Sequence, residues 1–152
     1  MLRASKSHPF TITVDQLIEL NESNHPAIRL VGESHRWIRA DLFFECQQVL
    51  HDGQLAHVEG NLPLLECLKL EVPNNTVEAR LFAIAPQLRS VKTSSFDPTT
   101  IALPRGQIRN QWFYGNFYPE ALACLRSSAN LRTVKMEHLV RDNSNWPPDL
   151  RV

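Results

Sequence analysis

Three groups of residues have the types that could do chemistry. Glu33, Ser34 and His35 place a carboxylate, a hydroxyl and an imidazole in succession ahead of Arg36. A nucleophilic triad needs its groups to converge on one reacting atom, and consecutive side chains rarely do so, so no Ser-His-acid centre is expected there. His51 and His57 flank Gly53, with Asp52 and Glu59 close by. Metal pairs want a spacing of about four on a helix or about two on a strand, and this pair has neither, so no metal is expected. The cysteines, Cys46, Cys67 and Cys124, are separated by 20 and 56 residues, which fits neither a zinc motif nor a disulfide framework. Cys67 has no base placed beside it and is expected to be inert. Gly32, Gly53, Gly60, Gly106 and Gly115 fit neither G-x-G-x-x-G nor G-x-x-x-x-G-K, so the phosphate-cradling loops are missing. The expectation is a protein without catalytic residues, cofactor or metal, and not an enzyme.

Composition narrows the class further. The chain has 152 residues, a hydrophobic share of 43%, and 16 Lys plus Arg against 16 Asp plus Glu, for a formal charge of zero. That length can bury one sizeable core, so a single domain or one continuous array is expected. The charge balance argues against a nucleic-acid or membrane-surface binder, since either usually carries a basic excess. Met1 to Phe10 has two early cations with no apolar run behind them, so a signal peptide is not expected. No stretch approaches the roughly 18 apolar residues of a membrane span. The Asn21-Glu22-Ser23 and Asn74-Asn75-Thr76 sequons therefore carry little weight, and an intracellular location, cytoplasmic or nuclear, is expected.

The elements that position these side chains emerge from an internal repeat. Leu65-Glu66-Cys67-Leu68-Lys69-Leu70 reads L-x-x-L-x-L, and the frame recurs as Leu88-x-x-Val91-x-Thr93, Ile108-x-x-Gln111-x-Phe113 and Leu131-x-x-Val134-x-Met136. Upstream, Trp37-x-x-Ala40-x-Leu42 fits with a substituted first position, and Pro9-x-x-Ile12-x-Val14 fits at the last two. The anchors at 9, 37, 65, 88, 108 and 131 are spaced by 28, 28, 23, 20 and 23 residues, in or near the range of leucine-rich repeats. Thr93 and Gln111 are the two polar departures. The expected fold is α/β: a leucine-rich-repeat solenoid of about five to six strand–crossover units with a parallel sheet on its concave face.

Segments between the strands have helical character. Ala27 to Val31 follows Pro26, with Asn24 as a candidate cap; Glu45 to Val49 precedes a stop at Gly53; Val77 to Ala83 ends before Pro86; Tyr118 to Arg126 opens on Pro119. Ser94 to Arg105 reads as an irregular loop held by Pro98 and Pro104. The organisation expected is a disordered start over 1–8, the solenoid over 9–139, and a tail or partial cap over 140–152.

His35-Arg36-Trp37, Leu62-Pro63-Leu64-Leu65-Glu66, Ala85-Pro86-Gln87-Leu88-Arg89-Ser90-Val91, Leu103-Pro104 with Gln107-Ile108, and Ala129-Asn130-Leu131 resemble the repeat region of the F-box-like proteins expanded in mushroom-forming fungi. The likeness runs from about Pro9 to Leu139. It implies the substrate-recognition part of an F-box-type ubiquitin-ligase receptor. The F-box of such proteins docks on a Skp-type adaptor. No L-P-x-E helix pattern precedes Pro9, so that docking is not expected of this chain alone.

In an L-x-x-L-x-L strand the fourth and sixth positions face the core, while the third, fifth and seventh face the open concave side. The open set is Thr11, Thr13, Asp15; Arg39, Asp41, Phe43; Cys67, Lys69, Glu71; Ser90, Lys92, Ser94; Asn110, Trp112, Tyr114; and Thr133, Lys135, Glu137. Nearly all are polar, whereas the inward positions are mostly apolar. Arg39, Asp41, Lys69, Glu71, Lys92, Trp112, Tyr114, Lys135 and Glu137 are the expected partner-binding residues, with the two aromatics as anchors and the charges setting orientation. A solvated sheet in which neighbouring charges screen each other is the plainer expectation for the same residues. Trp37 is expected in the core. The expected function is a protein–protein interaction module with an unknown protein partner. The alternatives are an orphaned repeat fragment without independent activity, or a small enzyme with an unrecognised site.

Overall fold

The computed structural model describes residues 8–17, 26–44, 53–72, 78–94, 98–115 and 118–138. Six strands form one sheet: β1 (Phe10–Leu17), β2 (Trp37–Phe44), β3 (Cys67–Glu71), β4 (Ser90–Ser94), β5 (Asn110–Tyr114) and β6 (Thr133–Glu137). Two α-helices lie in the connections, α1 (Pro26–Gly32) and α2 (Tyr118–Arg126), with short 3-10 turns at Ser34–Arg36, Gly53–Val58, Pro98–Thr100 and Arg105–Gln107. Each strand pairs in parallel with the next in sequence, in the order β1 to β6. The protein is thus an α/β fold built on an all-parallel sheet, in which every connection must return the chain to the same end.

The register follows from which side chains are apolar. Ile12, Ala40, Leu68, Val91, Gln111 and Val134 align across the sheet, as do Val14, Leu42, Leu70, Thr93, Phe113 and Met136. Slipping one residue would turn each strand's apolar set outward, so the core pins the pairing. Trp37, which opens β2, and Leu65, Leu88 and Ile108, which lie just ahead of their strands, are fully buried. The same turn precedes each strand from β2 onward: the N–H groups of Trp37, Leu65, Leu88, Ile108 and Leu131 donate to the carbonyls of Ser34, Leu62, Ala85, Arg105 and Ser128, three residues back in each case. The N–H groups of Glu66, Arg89, Arg109 and Arg132 then donate to the carbonyls of Ile38, Glu66, Arg89 and Arg109, extending the ladder one step before the strands proper.

Side-chain amides fasten successive connections to one another. Asn61 Nδ2 donates to Ser34 Oγ at 3.1 Å, Gln107 Nε2 to the carbonyls of Ala85 and Leu88, and Asn130 Nδ2 to the carbonyl of Gly106. Near the first strand, Arg36 donates to the carbonyl of His8 through Nε and Nη2.

Helices form at Pro26 and Tyr118, as their prolines and apolar spacing predict. The helix expected over Val77–Ala83 does not form in its described part. Ala79 instead makes a parallel bridge to Ile101, its N–H donating to Thr100 and its carbonyl accepting from Ala102, both at 2.8 Å. Good helix formers are overridden because the next connection satisfies the same backbone groups, while Leu81 and Phe82 are buried in consecutive positions. Glu45–Val49 and the tail over 140–152 lie outside the described residues. The Ser94–Arg105 segment is organised by Arg105, whose Nη2 donates to the carbonyl of Pro98 at 2.6 Å and that of Ile101 at 3.3 Å.

Two hydrophobic clusters lie behind the sheet. The larger runs from Ile12 to Ile108 and contains Trp37, Phe44, Leu70 and Phe82. The smaller joins Phe113 to Ala121 and Cys124 on α2, with Leu125 and Met136 packed against it. No described helix is long and apolar enough to cross a membrane.

Candidate functional site

The strands present one continuous polar face. Its central row is Thr13, Asp41, Lys69, Lys92, Trp112 and Lys135, each the cross-strand partner of the next. On one side runs Thr11, Arg39, Cys67, Ser90, Asn110 and Thr133, and on the other Phe43, Glu71, Ser94, Tyr114 and Glu137. All nine expected partner-binding residues therefore share this surface. Asp15 does not extend the last row, because the β1–β2 register shifts between Val14 and Leu17, and its side chain lies outside the described residues. Ser94 occupies a face position but is buried, and its hydroxyl has no partner among the described residues.

The strongest local arrangement surrounds Trp112. Lys92 Nζ, from the preceding strand, lies 3.7 Å from the ring centroid, and Lys135 Nζ, from the following one, lies 4.1 Å away. Both ammonium groups are within cation–π range, which favours an electron-rich indole between them. Trp112 is half-buried by these neighbours, whereas Tyr114 is exposed. Lys135 also meets Glu137 at 2.8 Å. Its hydrogen bond holds the Glu137 carboxyl below the usual carboxylate range against the opposing effect of desolvation, with further lowering from the Lys135 charge, the Trp112 indole and His138. Gly115 closes this corner: its φ of 64° lies in the left-handed region that suits glycine, and its N–H donates to the Glu137 carbonyl at 3.1 Å.

His138 is a member of this cluster that sequence reasoning missed. It follows the end of β6 with φ of 50°, and its ring meets Tyr114 edge-on at 5.2 Å. Only the row containing Tyr114 and Glu137 pointed to that neighbourhood, since the strand pattern stops one residue earlier.

Toward the other end, Arg39 Nε contacts Asp41 Oδ1 at 3.1 Å. Between this pair and Lys92 lies a depression of about 320 Å³, lined by Cys67, Lys69 and Ser90 and bounded by Trp112. Cys67 is a free, half-buried thiol there, and Cys124 is buried behind the sheet.

The sequence's other chemical groups lie apart from this face. Ser34 is fully buried with its hydroxyl accepting from Asn61, His35 is exposed, and Glu33 pairs with Arg36 at 3.0 Å. These three side chains do not converge. His57 is exposed on a 3-10 turn, and His51 lies outside the described residues. Among the described residues, no group of three His, Cys, Asp or Glu side chains could hold a metal ion.

No family model matches the chain. Searches of curated proteins and of solved structures likewise find no match.

Proposed function

We propose that this chain is a leucine-rich-repeat module that binds a protein partner on its polar sheet face. In this reading the six strands are the repeat strands of a solenoid, and the face is its concave side. The resemblance to the F-box-like proteins of mushroom-forming fungi extends the proposal: the chain is the substrate-recognition part of a ubiquitin-ligase receptor, and no residue of the sheet face is assigned to adaptor docking. The observation that supports this best is the Lys92–Trp112–Lys135 row beside exposed Tyr114. It offers a large, ordered aromatic and cationic patch, of the kind that anchors protein interfaces.

The test is affinity capture from extracts of the source cells with the intact chain, quantified by mass spectrometry. A partner bound through this face is lost with Trp112→Ala plus Tyr114→Ala and retained with Ile84→Ser, a change at an exposed site in the connection between β3 and β4. Equal recovery with both variants would defeat the proposal.

A further inference from the structure

We propose that the depression between β2 and β5 binds two carboxylates carried on an acidic segment of the partner, an inference that rests on reading the polar face as a partner surface. Four charged side chains line it: Arg39, Asp41, Lys69 and Lys92. Arg39 and Asp41 are committed to each other at 3.1 Å. Lys69 and Lys92 are direct cross-strand partners, so two like charges stand opposite each other, an arrangement that repels. Among the described residues neither lysine makes an ion pair; the contacts of Lys92 are to the Trp112 and Tyr114 rings. The depression therefore carries two cations in excess of its anion.

Its chemistry selects among anions. Arg39 donates from Nε to both Asp41 carboxylate oxygens, at 3.1 and 3.4 Å, so a carboxylate already offsets the guanidinium charge that would otherwise favour a phosphate. What remains is two ammonium groups on separate strands, a geometry that meets two separate single charges. Lys92 is already held 3.7 Å from the Trp112 ring centroid, which places its charge before a ligand arrives. The Ser90 hydroxyl lies on the same lining and supplies a donor to a bound carboxylate.

The probe is a hexaglutamate peptide titrated into the intact chain by calorimetry, with hexaglutamine and a phosphoserine-containing hexaglutamine peptide in parallel. Hexaglutamate should bind and hexaglutamine should not. Lys69→Gln and Lys92→Gln should each weaken binding about threefold and together about tenfold, as expected of half-exposed ion pairs. Asp41→Asn should tighten it about threefold by removing the local negative charge, a gain that misfolding cannot produce. Arg80→Gln, on an exposed connection, should leave it unchanged. Insensitivity to the double lysine variant, an equal loss with Arg80→Gln, or tenfold tighter binding of the phosphoserine peptide would each overturn the assignment. If hexaglutamate behaves as expected but partner capture ignores Trp112 and Tyr114, the broader reading fails and the anion site stands. The reverse pattern removes the anion site alone.

Discussion

The sheet from β2 to β4 and the pair β5–β6 follow one register but have different material behind them. Behind the first, Trp37, Leu68, Leu70, Leu88 and Val91 belong to the large cluster and are almost wholly buried. Behind the second, Gln111 takes an inward position where its neighbours are apolar. Phe113 packs into the small cluster with α2, and Val134 remains 43% exposed. Yet β5 and β6 carry Trp112, Tyr114, Lys135 and Glu137 on their outer face. The side chains proposed for recognition thus sit over the smaller of the two hydrophobic clusters among the described residues. Under the proposed reading, stability and recognition draw on different faces of the same strands, so substitutions should separate them.

The largest effect should come from the larger cluster. Trp37→Ala is expected to destabilise the fold by about 3–5 kcal/mol, with Phe113→Ala toward the lower end of that range because it removes a smaller side chain from the smaller cluster of described residues. Urea unfolding of both variants checks this, and a larger loss for Phe113 would erase the contrast. Gln111→Leu should be stabilising by about 1–2 kcal/mol, since the side-chain amide is buried with no hydrogen-bond partner among the described residues. A drop in urea midpoint for that variant would show that the amide is satisfied and the inward position is not a weak point. At the sheet's last strand, Val134→Thr should change stability by less than about 0.5 kcal/mol, because the side chain is already half in solvent.

The smallest effect is a proton equilibrium on the outer face. Because Glu137 titrates below its ordinary range, its pairing favours the folded state above that range and fades as pH falls through the lowered value. Lys135→Gln should move the Glu137 titration upward, as followed by carboxyl NMR shifts. An unchanged titration would mean that Lys135 is not the principal cause.

Much of this arrangement was legible in the sequence, because parallel strands fed by similar turns repeat their apolar positions. Leu65, Leu68 and Leu70 set a frame that predicted the pairings from β2 to β6, including the units where Thr93 and Gln111 replace an apolar residue, while β1 keeps it only from Thr11 to Val14. Those substitutions did not shift the register because Val91 and Phe113 remained to hold it. The face residues followed from that frame. The connections were harder to read: Ala79 pairs with Ile101 across more than twenty residues, and no local propensity reports such a partner. Similarly, the row order placed Lys92 and Lys135 beside Trp112, but their closure on its ring depends on side-chain conformations. The position of His138 depends on a left-handed backbone that its residue type does not announce.

The central claim is that the polar sheet face meets the partner. Site-specific photocrosslinking tests it most directly, with the reactive side chain placed in turn at Tyr114, Lys69 and Ile84 of the intact chain. The same protein should be crosslinked from Tyr114 and Lys69 and not from Ile84. Crosslinking from Ile84 with none from either sheet position would contradict the claim.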